Sequence, residues 1–207
     1  IMIHQDHPAP VGVARGVCDS GHINSCPGKN CAILELEFQS IGGMNKQATV
    51  HVHGSAGPGT GENIMSGKIV IEGDASQYLG ATGHGGLIVV KGNASSRCGI
   101  SMKGVNIVVQ GNIGHMAAFM GQSGNLVVCG DAGDALGDSC YEARFFVRGT
   151  VKSLGADCER KEMRPEHIEI LQELLDEAGI DADPSEFTRY GSARKLYNFD
   201  IDNAGAY

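Results

Sequence analysis

Tryptophan is absent from this 207-residue chain and aromatics make up only 5% of it, against 31 glycines, which sets it apart from an ordinary globular composition. Positive charge is also scarce. With 16 Lys and Arg against 24 Asp and Glu, the formal net charge is −8, and that excludes broad contact with nucleic acid or an anionic membrane surface, both of which need a cationic face. No apolar run approaches the ~18 residues of a membrane span, and the start, IMIHQDHPAP, has no signal-peptide core, so a cytoplasmic location is expected. The seven cysteines are odd in number and scattered from Cys18 to Cys158, which suits a reducing compartment better than a disulfide framework. No CxxC pair, GxGxxG fingerprint or GK[ST] occurs, and no Ser-His-Asp or Cys-His arrangement is evident, so no catalytic residue is assigned.

What the chain does have is a period. VHVHG, IVIEG, IVVKG, IVVQG, LVVCG and FFVRG end at Gly54, Gly73, Gly92, Gly111, Gly130 and Gly149, each 19 residues after the last. A fixed repeat of this length marks a solenoid. Positions four and two before each glycine are always apolar (Val50 and Val52 through Phe145 and Val147), the alternation of a strand with one buried face. After the glycine come a small polar residue (Ser55, Asp74, Asn93, Asn112, Asp131, Thr150) and then an apolar one, which reads as a repeated corner. Further columns, Gly61, Gly80, Gly99, Ala118, Gly137 and Gly67, Gly86, Val105, Gly124, Ala143, mark bends or positive φ. Six coils with no room for a helix predict an all-β parallel β-helix of roughly 29 Å.

Two outward columns carry information. Three before the glycine stand His51, Val70, Val89, Val108, Val127 and Phe146, apolar enough that a second layer is expected to cover that wall. One before it, His53, Glu72, Lys91, Gln110, Cys129 and Arg148 form a polar ladder in which Glu72 is expected to pair with Lys91. His51 and His53 share a strand but have no evident third metal ligand.

Residues 1–32 are an irregular extension in which Cys18, Cys26 and Cys31 cluster around His22; a metal or iron–sulfur site is weighed against ordinary thiols, and no metal is assigned. Residues 33–155 form the β-helix, opening with ILELEF (33–38) as a degenerate first coil. His84, Arg97, Lys103 and His115 are candidates for a cationic rim able to meet a cofactor phosphate or an acidic partner. Cys98 shares a column with Leu79, Ala117 and Leu136, which favours core packing over nucleophilic chemistry. Residues 156–207 hold an amphipathic helix, PEHIEILQELLDEAG, with its start and stop signals in place. It is followed by an aromatic tail. Phe187, Arg189, Tyr190, Arg194, Tyr197 and Phe199 there suit a partner interface, with a tail folded back on its own rod as the alternative. On the interface reading, deleting 187–207 leaves the rod folded.

The repeats, together with GSAGPGTGENIMSG, GDASQYLGATGHGG, SRCGISMKG, GDAGDALGDS and SARKLYNF, carry a family resemblance over residues 33–207. The chain resembles the GXGXG domain of glutamate synthase, a right-handed parallel β-helix. It looks most like the stand-alone form of that domain, a subunit of methylamine–glutamate N-methyltransferase, also called N-methylglutamate synthase. The resemblance implies a scaffold that holds together two partners, a class II glutamine amidotransferase-like subunit and an FMN-binding glutamate synthase-like subunit. FMN, and an iron–sulfur cluster if one is present, would then belong to a partner and not to this chain. Two alternatives stay open: the same domain serving glutamate synthase proper or formylmethanofuran dehydrogenase, and an independent enzyme that binds a small anion.

Overall fold

A computed structural model describes residues 30–33, as backbone, and residues 41–195. Seven strands lie side by side in chain order: β1 (Asn30–Ile33), β2 (Thr49–Val52), β3 (Lys68–Ile71), β4 (Leu87–Val90), β5 (Lys103–Val109), β6 (Ser123–Val128) and β7 (Arg144–Val147). All neighbours are parallel, and from Asn30↔Thr49 to Val128↔Val147 each residue sits beside its counterpart one period on, apart from a register shift between Lys103 and Asn106. The chain is mostly sheet, a parallel β-solenoid of about five turns with one α-helix. β1 stacks on β2 with Cys31 beside Val50 and Ile33 beside Val52; residues 34–38 of ILELEF lie outside the described residues.

The inward columns are as the alternation demands. Val50, Val52, Ile69, Ile71, Ile88, Ile107, Leu126 and Phe145 are fully buried and join one continuous core with Leu79, Cys98, Ala117 and Leu136 from the opposite wall. Burial without a partner charge pushes the Cys98 thiol up to about 12, the state of a packing residue.

The small polar column is a hydrogen-bonded ladder. Asp74 Oδ1 accepts from Asn93 N–H at 2.7 Å, Asn93 Oδ1 from Asn112 at 2.8 Å, Asn112 Oδ1 from Asp131 at 2.7 Å and Asp131 Oδ1 from Thr150 at 2.7 Å. This ladder explains the glycines that define the repeat, which need space and not positive φ. A Cβ on Gly111 would sit 2.5 Å from Asn93 Oδ1, in the place the ladder occupies.

Positive φ belongs to another strip. Gly59, Gly61 and Asn63 are left-handed at alternate positions, and so are Tyr78, Gly80 and Thr82, Arg97, Gly99 and Ser101, Met116, Ala118 and Met120, and Ala135, Gly137 and Ser139, all between 52° and 71°. The alternation turns successive N–H groups toward opposite neighbours: Gly80 donates back to Thr60 O at 2.8 Å and Thr82 forward to Ile100 O at 2.9 Å. The gain is a fully bonded corner, which offsets a cost of roughly 1 kcal/mol at each non-glycine. In the remaining glycine column, Gly67, Gly86 and Gly124 are left-handed; at Val105 the strain is taken by Gly104, φ +140°, where the register shifts.

The outward apolar wall is covered by this chain's own helix α1 (Pro165–Ala178). Leu171, Leu174, Leu175 and Ala178, with Ile180 and Phe187, pack on Val89, Val108, Val127, Cys129 and Phe146. At ~1.5 Å per residue α1 is roughly 21 Å long, which matches the roughly 19 Å from β3 to β7 at ~4.8 Å per strand. Its last turn carries no basic residue, so its terminal carbonyls are satisfied from the rod: Lys68 Nζ donates to Glu177 O at 2.6 Å, and Lys91 Nζ to Ala178 O at 2.8 Å and Gly179 O at 3.2 Å. Lys91 is therefore not the partner of Glu72, whose carboxylate instead meets His51 Nε2 at 2.7 Å.

The sheet closes with two strands that leave the period, β8 (Cys158–Lys161) and β9 (Thr188–Ser192). β9 lies antiparallel between β7 and β8, with Phe145↔Tyr190 on one side and Arg160↔Tyr190 on the other. A turn of 3-10 helix, Pro184–Glu186, brings the chain into β9.

Candidate functional site

The four residues of the predicted cationic rim fall in two places. His84 and Lys103 are exposed and stacked in one column, one coil apart. Arg97 lies in the left-handed strip, where Nη1 donates to Tyr78 Oη at 3.1 Å and the guanidinium sits 5.8 Å from that ring's centroid. His115 is on the next coil and accepts at its carbonyl from Arg97 N–H, 2.9 Å.

The segment assigned to a partner interface is used largely by the rod. Phe187 is 5% exposed in the cluster under α1, and Tyr190 packs against the solenoid core. Burial takes the Phe187 side chain into the chain's own interior, Tyr190 is half-buried, and β9 protects the edge of β7. The folded-back tail is what residues 187–195 form. Asp157 pins it: Oδ2 accepts from Ser192 Oγ at 2.7 Å, Oδ1 from Lys195 N–H at 2.8 Å, and the carbonyl from Ala193 N–H at 2.8 Å. Arg194 remains on the surface, paired with both oxygens of Glu142 at 2.8 and 2.9 Å. Tyr197 and Phe199 lie outside the described residues, as do Cys18 and Cys26. Cys31 is placed on β1 beside Val50. Among the described residues no group of three or more His, Cys, Asp and Glu could hold a metal ion, and no helix is long and apolar enough to cross a membrane.

The structure assembles a different cationic site. A cavity of about 400 Å³ opens where β7 and β9 meet the start of α1. Arg144, Lys161, Arg164, Arg189 and Arg194 line it with His167, and Glu142 is the one carboxylate among the lining residues. Arg164 is the N-cap of α1, and its N–H donates to His167 Nδ1 at 3.2 Å, a capping box with imidazole in place of the usual carboxylate. Arg189 Nε donates to Glu162 O at 2.9 Å. Burial first, then Arg164 and Arg144 beside it, hold the Arg189 guanidinium below its usual value. Burial and then Arg189 likewise depress His167. Arg144 shares a column with Asn125, whose buried Oδ1 has no hydrogen-bond partner among the described residues, yet the guanidinium lines the cavity and does not donate to it.

Sequence reasoning missed this site because its arginines are spread from 144 to 194, outside or at the edge of the period. Only the antiparallel return of β9 along β7 brings them together. The available signal was an excess of arginine beside proline and glycine breaks in a chain otherwise poor in cations.

No family model matches the chain, and no solved structure matches it. It is 76% identical over 166 residues to Protein GlxC of Rhizobium meliloti (strain 1021), covering 80% of this chain and 73% of that protein.

Proposed function

The chain belongs to the family of Protein GlxC, and we propose that it is the β-helical scaffold subunit of a glutamate synthase-like flavoenzyme. In that complex, glutamate and methylamine give N-methylglutamate with release of ammonia. The observation that carries this reading is the left-handed strip at residues 59, 61 and 63 and its four repeats. Its alternation is the backbone conformation that a Gly-x-Gly-x sequence serves, and it recurs coil after coil as a GXGXG scaffold requires. Supporting it, Asp74, Asn93, Asn112 and Asp131 are engaged in stacking bonds and Lys68 and Lys91 in capping α1. The amidotransferase-like and FMN-binding chains of the complex would hold the chemistry.

The test is purification of the native complex through a tag on this chain, followed by a count of its subunits and bound flavin. The expected result is two partner chains, flavin on one of them, and methylamine-dependent turnover of glutamate only in the assembled complex. Flavin absorbance or turnover from this chain alone would sink the reading.

A further inference from the structure

The cavity at the closed end of the rod holds more positive charge than its surroundings neutralise. Three of its cations have carboxylates: Arg194 meets Glu142 at 2.8 Å, Lys161 meets Glu159 at 2.6 Å and Arg164 meets Glu166 at 3.2 Å. Two do not. Arg189 gives its Nε–H to a neutral carbonyl, and the Arg144 guanidinium has no hydrogen-bond or ion-pair partner among the described residues. Both are partly buried in a chain whose net charge is −8, so their repulsion is not a by-product of a basic surface.

A third donor faces the same space. His167 is 4% exposed, and because Nδ1 accepts from Arg164 N–H, the neutral ring carries its proton on Nε2, which has no partner among the described residues. Two guanidinium forks and one imidazole N–H thus line a recess that offers them no matched acceptor. Their complement is a ligand with several acceptor oxygens and two negative charges. A single carboxylate would neutralise one arginine. Apart from Tyr141, Ala143 and Gly191 the lining residues are charged or polar, which favours a compact, polar head group. A phosphate monoester, with about −1.5 to −2 charges near pH 7 and three acceptor oxygens, meets both requirements.

We propose that the cavity between β7, β9 and the start of α1 binds a phosphate dianion, free or as a monoester, through Arg144, Arg189 and His167 Nε2. The site is independent of the scaffold reading, which assigns this chain no ligand.

Titration calorimetry of the full chain at neutral pH and fixed ionic strength tests it, with inorganic phosphate, glycerol 3-phosphate, succinate and sodium chloride as probes. Saturable binding of one phosphate per chain is expected, weakened at least tenfold in Arg144→Gln and unchanged in Lys91→Gln, at the far end of α1. Tighter binding of the monoester identifies an esterified ligand, and tighter binding of inorganic phosphate a free one. Equal responses from wild type and Arg144→Gln, an equal response to sodium chloride, or succinate binding as tightly as phosphate would each overturn the assignment. Wild-type imidazole resonances give a reading that needs no variant. Phosphate should move those of His167 and leave those of exposed His84 in place, and the opposite pattern refutes the site.

Discussion

Through the coils, side-chain bonds repeat at one separation: the ladder links Asp74 to Asn93, Asn93 to Asn112, Asn112 to Asp131 and Asp131 to Thr150, always 19 apart. Beyond residue 156 no long-range separation recurs from one residue pair to another. Arg189 reaches Glu162 across 27 positions, Ser192 reaches Asp157 across 35, Arg194 reaches Glu142 across 52 and Lys68 reaches Glu177 across 109. The coils are held by many equivalent contacts, the closing segment by a few unlike ones. Damage to a coil should therefore be set by the column of the residue lost, whereas damage to the closing segment should depend on which long-range contact is lost.

The largest effect is expected from Ile107→Asp, which puts a carboxylate at a fully buried position between stacked coils and should cost several kcal/mol in thermal or denaturant melts. Gln110→Lys, exposed on the same coil, should stay within about 0.5 kcal/mol. If the two melt alike, the inward and outward columns are misassigned. Next comes Phe187→Ala, expected to cost about 3 kcal/mol because the ring lies in the cluster under α1. A chain ending at Glu186 should melt well below one ending at Lys195; equal melts for both truncations would mean that β9 contributes nothing to the rod.

How far the fold could be read from the sequence follows from the same contrast. The 19-residue period displays the strand register, the inward columns and the need for a cover on the wall of Val70, Val89, Val108, Val127 and Phe146, because each fact is stated several times over. The role of Phe187 is stated once. Aromatic and cationic residues crowded at the end of a chain look alike whether they meet a partner or the chain's own sheet, and only the antiparallel pairing Phe145↔Tyr190 distinguishes the two. Lys91 was misread for the same reason: its neighbour in the column is Glu72, but its bond is to the end of a helix 87 residues away. The candidate site was the least legible part, since its arginines come from three separate elements.

A smaller effect should follow from Asn112→Ala. It removes one rung of the ladder, leaves Asp131 N–H without its acceptor and should cost about 1 kcal/mol, with no change in overall fold by circular dichroism. The smallest is a pH effect in the closing segment. The folded pKa of His167 is depressed, by burial first, so above the ordinary value of 6.5 both folded and unfolded forms are neutral and the residue contributes no slope. Below it the unfolded chain binds a proton that the folded chain does not, and stability falls until His167 itself protonates. His167→Gln keeps an acceptor for the capping box and should flatten that part of the profile. An unchanged slope in the variant would place the acid sensitivity elsewhere.

Helix α1 gives the rod a property that stacked repeats alone lack. A plain solenoid frays from its ends, each coil leaving when its single interface opens, and its amide exchange rates grade smoothly toward the tips. Here one rigid element lies across the wall from Phe146 on β7 to Lys68 on β3 and Lys91 just past β4, and opening the final coil means lifting the helix from all of them. Residues 68–147 should therefore exchange their buried amides as one cooperative block, with graded protection confined to the coils on the β1 side that the helix does not reach.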